Sequence, residues 1–348
     1  MKRERSILFH IAWLAPALFL CIVGAASLGS AHLSFFDSLR IIGSGIPGLH
    51  SIVSTDGIAD VYTKIVWQVR MPRILLAGLV GCGLSVVGAT FQGLFRNSLA
   101  DPHILGISSG AAVGATIAII SGVSFHFLGL SGICAAAFAG AVVTAFLVYR
   151  ISSIGSKLPV MNILLTGIAV SAMFSALISL LMTLNRDQID KVYMWTLGSF
   201  SSASKTRVLF LLFFVVAATA GLMLYARKLN VIATGDETAE SLGIDTSRVK
   251  KVLIVLASLL VAACVSVSGI IGFVCLIIPH CTRIISGPKH ERLLPLSCFA
   301  GAIFMILCDT LARTLAAPSE IPVGVITSVF GAPFFIFLLQ RSKRKLVR

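Results

Sequence analysis

Charge is what this chain has least of. Only 12% of its 348 residues are Asp, Glu, Lys or Arg, about half the quarter that a soluble domain carries. That shortfall excludes an ordinary water-soluble globule. Acid is scarcer than base, with 14 Asp and Glu against 28 Lys and Arg. The eight cysteines lie in apolar segments and form no Cys-x-x-Cys pair, so neither a disulfide framework nor a zinc site is suggested. A GxxxxGK[ST] phosphate loop is missing throughout, so nucleotide hydrolysis by that device belongs to another chain. No Ser/His/Asp set or metal cluster suggests enzymatic chemistry.

What is present is apolar: 57% of the residues are hydrophobic, and they run in blocks separated by the few charges. A helix needs about 20 apolar residues to cross the hydrocarbon core of a bilayer. Residues 6–36 hold the first span and 74–95 the second. The charge-free block 102–149 holds two more, with a turn near Ser121–His126. Spans five and six fall in 158–185 and 208–226. Residues 252–282 are too long for one helix and break near Ser268–Gly269, giving spans seven and eight, the latter running to about Ile285. Spans nine and ten cover 293–315 and 321–340. The basic start followed by an apolar run resembles a signal peptide, yet it has no clean small-residue cleavage site and reads as a retained first helix.

Ten spans put both termini on one side, and basic residues choose the side. With both ends in the cytoplasm, the inner segments hold Lys2, Arg3, Arg5, Arg96, Arg150, Lys157, Arg227, Lys228, Arg248, Lys250, Lys251, Arg283, Lys289, Arg292 and the five basic residues after Gln340, 19 of 28 in all. The net charge of +14 is thus explained by membrane orientation and anionic lipid, and no nucleic-acid partner is implied. The chain reads as one all-α integral membrane domain, 1–348.

Two segments lie outside the membrane. In the external stretch 37–73, Ile58, Val61, Tyr62, Ile65, Val66 and Val69 recur at helical spacing and predict a surface amphipathic helix. It should end near Met71, because a residue before proline is pushed out of the helical region, and Pro72 should open span two. In the cytoplasmic loop 227–251, residues 235–243 predict a short helix with Asp236 as N-cap and Gly243 as stop. Within the spans, Gly81, Ser85, Ala89 and Gly93 form one small-residue stripe and Gly106, Gly110 and Gly114 another. Such stripes let helix backbones approach in lipid, either within the chain or at a subunit interface.

Several motifs resemble a known family. Arg70-Met-Pro-Arg73, Gln92-Gly-Leu-Phe-Arg-Asn-Ser-Leu-Ala-Asp-Pro102 and Leu105-Gly-Ile-Ser-Ser-Gly110 are similar to the signature of FecCD-type permeases, the membrane subunits of importers for ferric siderophores, haem and vitamin B12. Gly269-Ile-Ile-Gly-Phe-Val, Ile278-Pro-His280, Asp309-Thr-Leu-Ala-Arg313, Glu320-Ile-Pro-Val-Gly-Val and Gly331-Ala-Pro-Phe-Phe335 match as well. One departure is Ser98, where the family usually has proline. The resemblance implies a type II ABC importer permease fold and a homodimeric or close heterodimeric pair. It also implies two cytoplasmic ATPase subunits, an extracytoplasmic binding protein, and a cargo pathway between the permease copies. No cofactor is expected on this chain, since ATP and magnesium would sit on the partner ATPase. The implied cargo is an iron complex, first of all a ferric siderophore, with haem and vitamin B12 as alternatives, and the location is the cytoplasmic membrane.

By the same resemblance, Arg70, Arg73 and Arg313 dock the binding protein; exposed arginines suit carboxylate recognition. Interfacial snorkelling is the plain reading of the first two, and an i,i+4 pair with Asp309 that of Arg313. Asn97 and Leu99 match a cytoplasmic gate across the dimer axis, or else belong to a loop capped by Asn97 and Asp101. Asp236, Glu237, Ala239, Glu240, Leu242 and Gly243 match the helix that docks into the ATPase, with Ala239 and Leu242 as its apolar contact and the acids meeting basic groups. His103, His280 and His290 read as structural histidines rather than metal ligands. An ion-coupled secondary transporter needs ionisable groups near the midplane, and the sole candidate, Asp309, lies near the outer end.

Overall fold

The computed structural model describes residues 2–29, 33–46, 57–123, 125–127, 129–153 and 159–346. The expected basic contribution of Lys157, part of the external stretch and part of the turn before span four fall outside them. Helices α1 (Lys2–Ser27), α2 (Phe35–Ser44), α3 (Asp60–Lys64) and α4 (Met71–Leu94) come first. They are followed by α5 (Ile107–Ile120), α6 (Gly132–Ser152), α7 (Val160–Leu184) and the short α8 (Ile189–Thr196). Then come α9 (Lys205–Leu224), α10 (Ala226–Ile232), α11 (Asp236–Ser241), α12 (Thr246–Ser268), α13 (Val274–Ser286), α14 (His290–Thr314) and α15 (Val323–Leu346). Among the described residues seven helices are long and apolar enough to cross a membrane, and three shorter apolar ones, Ile107–Ile120, Val274–Ser286 and Val323–Phe337, fill the remaining predicted positions. The architecture is therefore the expected ten-helix one.

The structure corrects the sequence reading in three places. The amphipathic helix does not end near Met71: Asp60–Leu94 is one continuous 35-residue helix. Its turn Ile65–Arg70 is π-helical, and the wider i→i+5 spacing carries the chain across Pro72, which has no N–H to donate. A two-residue hairpin, β1 (His126–Phe127) against β2 (Leu130–Ser131), occupies the turn between α5 and α6. The loop 227–251 is mostly helical, being shared between α10, α11 and the start of α12.

Helix α4 is the hub. Its residues are buried almost throughout, and it packs against α14, α13, α12 and α9, while α5 pairs with α6 and α1 lies on α14. Both small-residue stripes serve packing within the chain. A methyl group on Gly81 would stand 2.1 Å from the Gly301 carbonyl oxygen of α14, and one on Gly110 would stand 1.9 Å from Thr144 Oγ1 of α6. These helices touch backbone to backbone, so the stripes are consumed inside the protomer.

The break after α12 is equally constrained. Gly269 has φ 73° and Phe273 φ 69°, and a side chain at Gly269 would meet the Trp195 carbonyl oxygen at 2.3 Å. Backbone hydrogen bonds then knit three segments: Ser199 N to Ser268 O at 2.8 Å, Val323 N to Gly198 O and Gly324 N to Leu197 O, both at 3.1 Å. Gly81→Ala and Gly110→Ala should each destabilise the purified protein by about 1–3 kcal/mol, the usual cost of overpacking. Thermal unfolding in detergent measures this, and Gly122→Ala, where nothing stands within 4 Å, serves as the comparison for added bulk, its positive φ strain aside.

Candidate functional site

At the end of the bundle that the basic-residue bias makes external, three arginines converge. Arg73, at the start of α4, grips Asp309 of α14 through Nε at 3.0 and 3.1 Å and through Nη2 at 2.9 Å, and its Nη1 donates to Glu320 at 2.7 Å. Arg313, one turn beyond Asp309, stands 3.9 Å from the same carboxylate and donates to the Leu28 carbonyl at 2.6 Å and to that of Ala25. Arg70 donates to the carbonyls of Ala26 and Ser27. The last carbonyls of α1 have no helical partner of their own, and two guanidinium groups supply donors and positive charge there.

The expectation of exposed arginines is thereby corrected. Arg70 is only 6% exposed, and the side chains of Arg73 and Arg313 only 13% and 9%. All three turn inward because a carboxylate and a helix terminus await them there. The i,i+4 pairing of Arg313 with Asp309 is present, but Asp309 is held more closely by Arg73, 236 positions away. Sequence spacing along one helix could not show that contact.

At the opposite end, the chain leaves α4 through Arg96 with φ 49°. Asn97 Oδ1 accepts from Leu99 N at 2.9 Å, and Asp101 Oδ1 accepts from His103 N at 2.8 Å. Both side chains thus shape the loop before α5. Asn97 is exposed and Leu99 half-buried. His103 Nε2 lies 3.4 Å from Ile271 O, and His290 Nδ1 2.7 Å from Asn230 Oδ1. His280 packs edge-on against Phe334. Each histidine has a local structural neighbour.

Helix α11 begins one residue earlier than expected, with Gly235 at the N-cap and Asp236 inside the first turn. Its chain reverses at Gly243, φ 78°, as predicted. Asp236 is taken up within the chain: Lys250 Nζ donates to it at 2.5 Å and Arg96 stands at 4.0 Å. Glu240 accepts from Thr246 Oγ1 at 2.6 Å. Ala239 is fully buried against the bundle, which corrects its assignment as an apolar contact for another subunit. Glu237, Thr238, Glu240 and Ser241 of the helix are exposed, as is Leu242 just after it, at 67%. Through Asp236 and Arg96, this helix is joined electrostatically to the Asn97–Leu99 loop.

A multi-pass apolar bundle with an arginine–carboxylate cluster at one end and an exposed leucine after a short helix at the other has the frame of a membrane transport protein. Residues 17–341 match the FecCD transport family, and the chain belongs to that family: it is an ABC importer permease. It is 42% identical to the cobalamin import system permease protein BtuC of Halobacterium salinarum over 82% of this chain and 75% of that one. With the hemin transport system permease protein HmuU of Yersinia pestis it shares 35% identity over 96% of each chain. A solved structure described as an inward-facing conformation of a metal-chelate type ABC transporter superposes with a TM-score of 0.81 at 32% identity, covering 95% of this chain and 98% of that one.

Arg73→Gln would leave Asp309, 2% exposed, with only the longer contact to Arg313, and should cost about 3 kcal/mol or more. Glu320→Gln, at a 42% exposed partner, should cost under about 1 kcal/mol. Chemical denaturation of the purified variants reads both, and Arg73→Gln combined with Asp309→Asn should cost less than the two single changes summed.

Proposed function

We propose that this permease carries a metal chelate, a ferric siderophore, across the cytoplasmic membrane by alternating access. It works as a homodimer driven by two separate ATPase subunits that hold the ATP and magnesium. The observation that carries the reading is the likeness to the metal-chelate type transporter over nearly the whole chain. A second cargo, cobalamin, is favoured by the 42% identity to the cobalamin permease.

The outer cluster is the proposed docking face. Carboxylates of an extracytoplasmic binding protein would take over arginine donors that now serve Asp309, Glu320 and the end of α1. Docking is then an exchange of partners, which loosens α1, α4 and α14 from one another. At the inner end, Leu242 and Glu237 would enter the ATPase groove. Motion of α11 would pass through Asp236 and Arg96 to Asn97 and Leu99, the proposed gate. Arg70, Arg73 and Arg313 on one face and α11 on the other thus give a path from cargo arrival to ATP use.

Proteoliposomes holding the permease, its ATPase and its binding protein should accumulate a ferric siderophore only with internal ATP. Uptake of cobalamin or haemin instead would overturn the cargo assignment, and uptake without ATP would overturn the drive. Leu242→Glu should leave basal ATP hydrolysis intact while abolishing its stimulation by loaded binding protein. Full stimulation in that variant would remove α11 from the coupling path.

A further inference from the structure

One cavity lies apart from the gate and the coupling helix and shares only Glu320 with the outer cluster. It has a volume of about 610 Å³ and lies within a single chain, between α5, α6, α8, the start of α9, the end of α12 and residues 320–322. That size is in the range of small-molecule sites, roughly 300–1,000 Å³. Its walls are fixed by the backbone bonds that tie Ser199 to Ser268 and residues 197–198 to the start of α15.

The polar groups on its wall are arranged as donors. Arg207, in the first turn of α9, donates to Ser131 Oγ at 3.1 Å and to Ser202 Oγ, and Lys191 of α8 donates to Gln188 Oε1 at 3.1 Å. Neither cation makes a salt bridge among the described residues, and the acid on the wall, Glu320, is bound to Arg73. Ser131 Oγ already accepts from Arg207 and from Cys134 N, Ser202 Oγ from Arg207, and Ser201 Oγ from Ser199. A hydroxyl that accepts keeps its own proton to give, so three hydroxyl protons join two cationic groups around one space. Ile119, Ile133, Met194 and Trp195 also line it.

We infer that this cavity is a binding site for an oxyanion, a carboxylate or phosphate carried on a small amphipathic molecule. A cation partly withdrawn from water is costly unless paired or solvated, and an anionic head in this cavity would pair the half-buried Arg207, with the exposed Lys191 also on its wall. A guanidinium receives carboxylate or phosphate through two parallel bonds, while the indole and aliphatic wall takes the apolar body. The site stands whichever chelate is transported, because its lining comes from one protomer.

The test uses the full chain in nanodiscs of zwitterionic lipid, with Trp13 and Trp67 changed to phenylalanine so that Trp195 reports alone. Citrate and inorganic phosphate are titrated in, and saturable fluorescence change is expected, weakened at least tenfold by Arg207→Gln and by Lys191→Gln. Lys191 is exposed, so that variant tests the site without endangering the fold, and an unchanged thermal midpoint checks it. If the small anions are silent but nanodiscs containing phosphatidylglycerol give an Arg207-dependent change, the site stands and its oxyanion is a lipid headgroup. No change with any of the three, or a change that both variants retain, overturns the inference.

Discussion

A carboxylate with almost no access to water sits at the outer end of this bundle, and the surrounding architecture answers it. Asp309 cannot stay charged there without compensation, and Arg73 supplies three donor contacts while Arg313 stands one helical turn away. Those arginines belong to α4 and α14, so satisfying one acid fixes the two most intimately packed helices end to end. Arg313 and Arg70 then reach the carbonyl terminus of α1, and Arg73 reaches Glu320 ahead of α15. Four membrane helices thus meet at one electrostatic knot, while backbone contact at Gly81 and Gly301 holds α4 and α14 together below it.

The knot also explains why the two ends of the molecule are unlike. Outside, charge is concentrated and turned inward, onto Asp309 and the carbonyl end of α1. Inside, Asp236 is held by Lys250 at 2.5 Å and by the more distant, partly solvated Arg96, and Glu237, Glu240 and Leu242 stand exposed on and just after a six-residue helix. The outer cluster ties four helices together, whereas the inner one ties the short α11 to α12 and to the turn after α4.

Much of the fold was legible in the sequence because lipid is a demanding solvent. Unbroken apolar length, interrupted by charge or by Ser268–Gly269, located the ten helices within a few residues. The element boundaries that failed did so for local reasons. The π-helical turn at Ile65–Arg70 absorbed a proline that should have ended the helix, and the Gly235 N-cap shifted α11 by one residue. The hairpin of β1 and β2 is too short to leave a pattern. The site residues were found by motif, yet their surroundings were not: burial of Ala239 and inward rotation of Arg70 depend on neighbours far away in the chain. Lys191 and Arg207 carried a signal that could have been read, two cations on the outer side against the charge bias, but nothing in their spacing joins them to Ser131.

The sequence by itself determined that this is a ten-helix membrane protein of the FecCD family with its basic residues biased to one face. Composition and apolar length act locally and are sufficient for that in a bilayer, where each helix satisfies its own backbone. Only the tertiary structure decided which acid each arginine serves, which face of α11 looks outward, and that a donor-lined cavity exists between α8 and α9. Those are pairings between residues tens to hundreds of positions apart, and close packing of helices, rather than any local preference, brings them together.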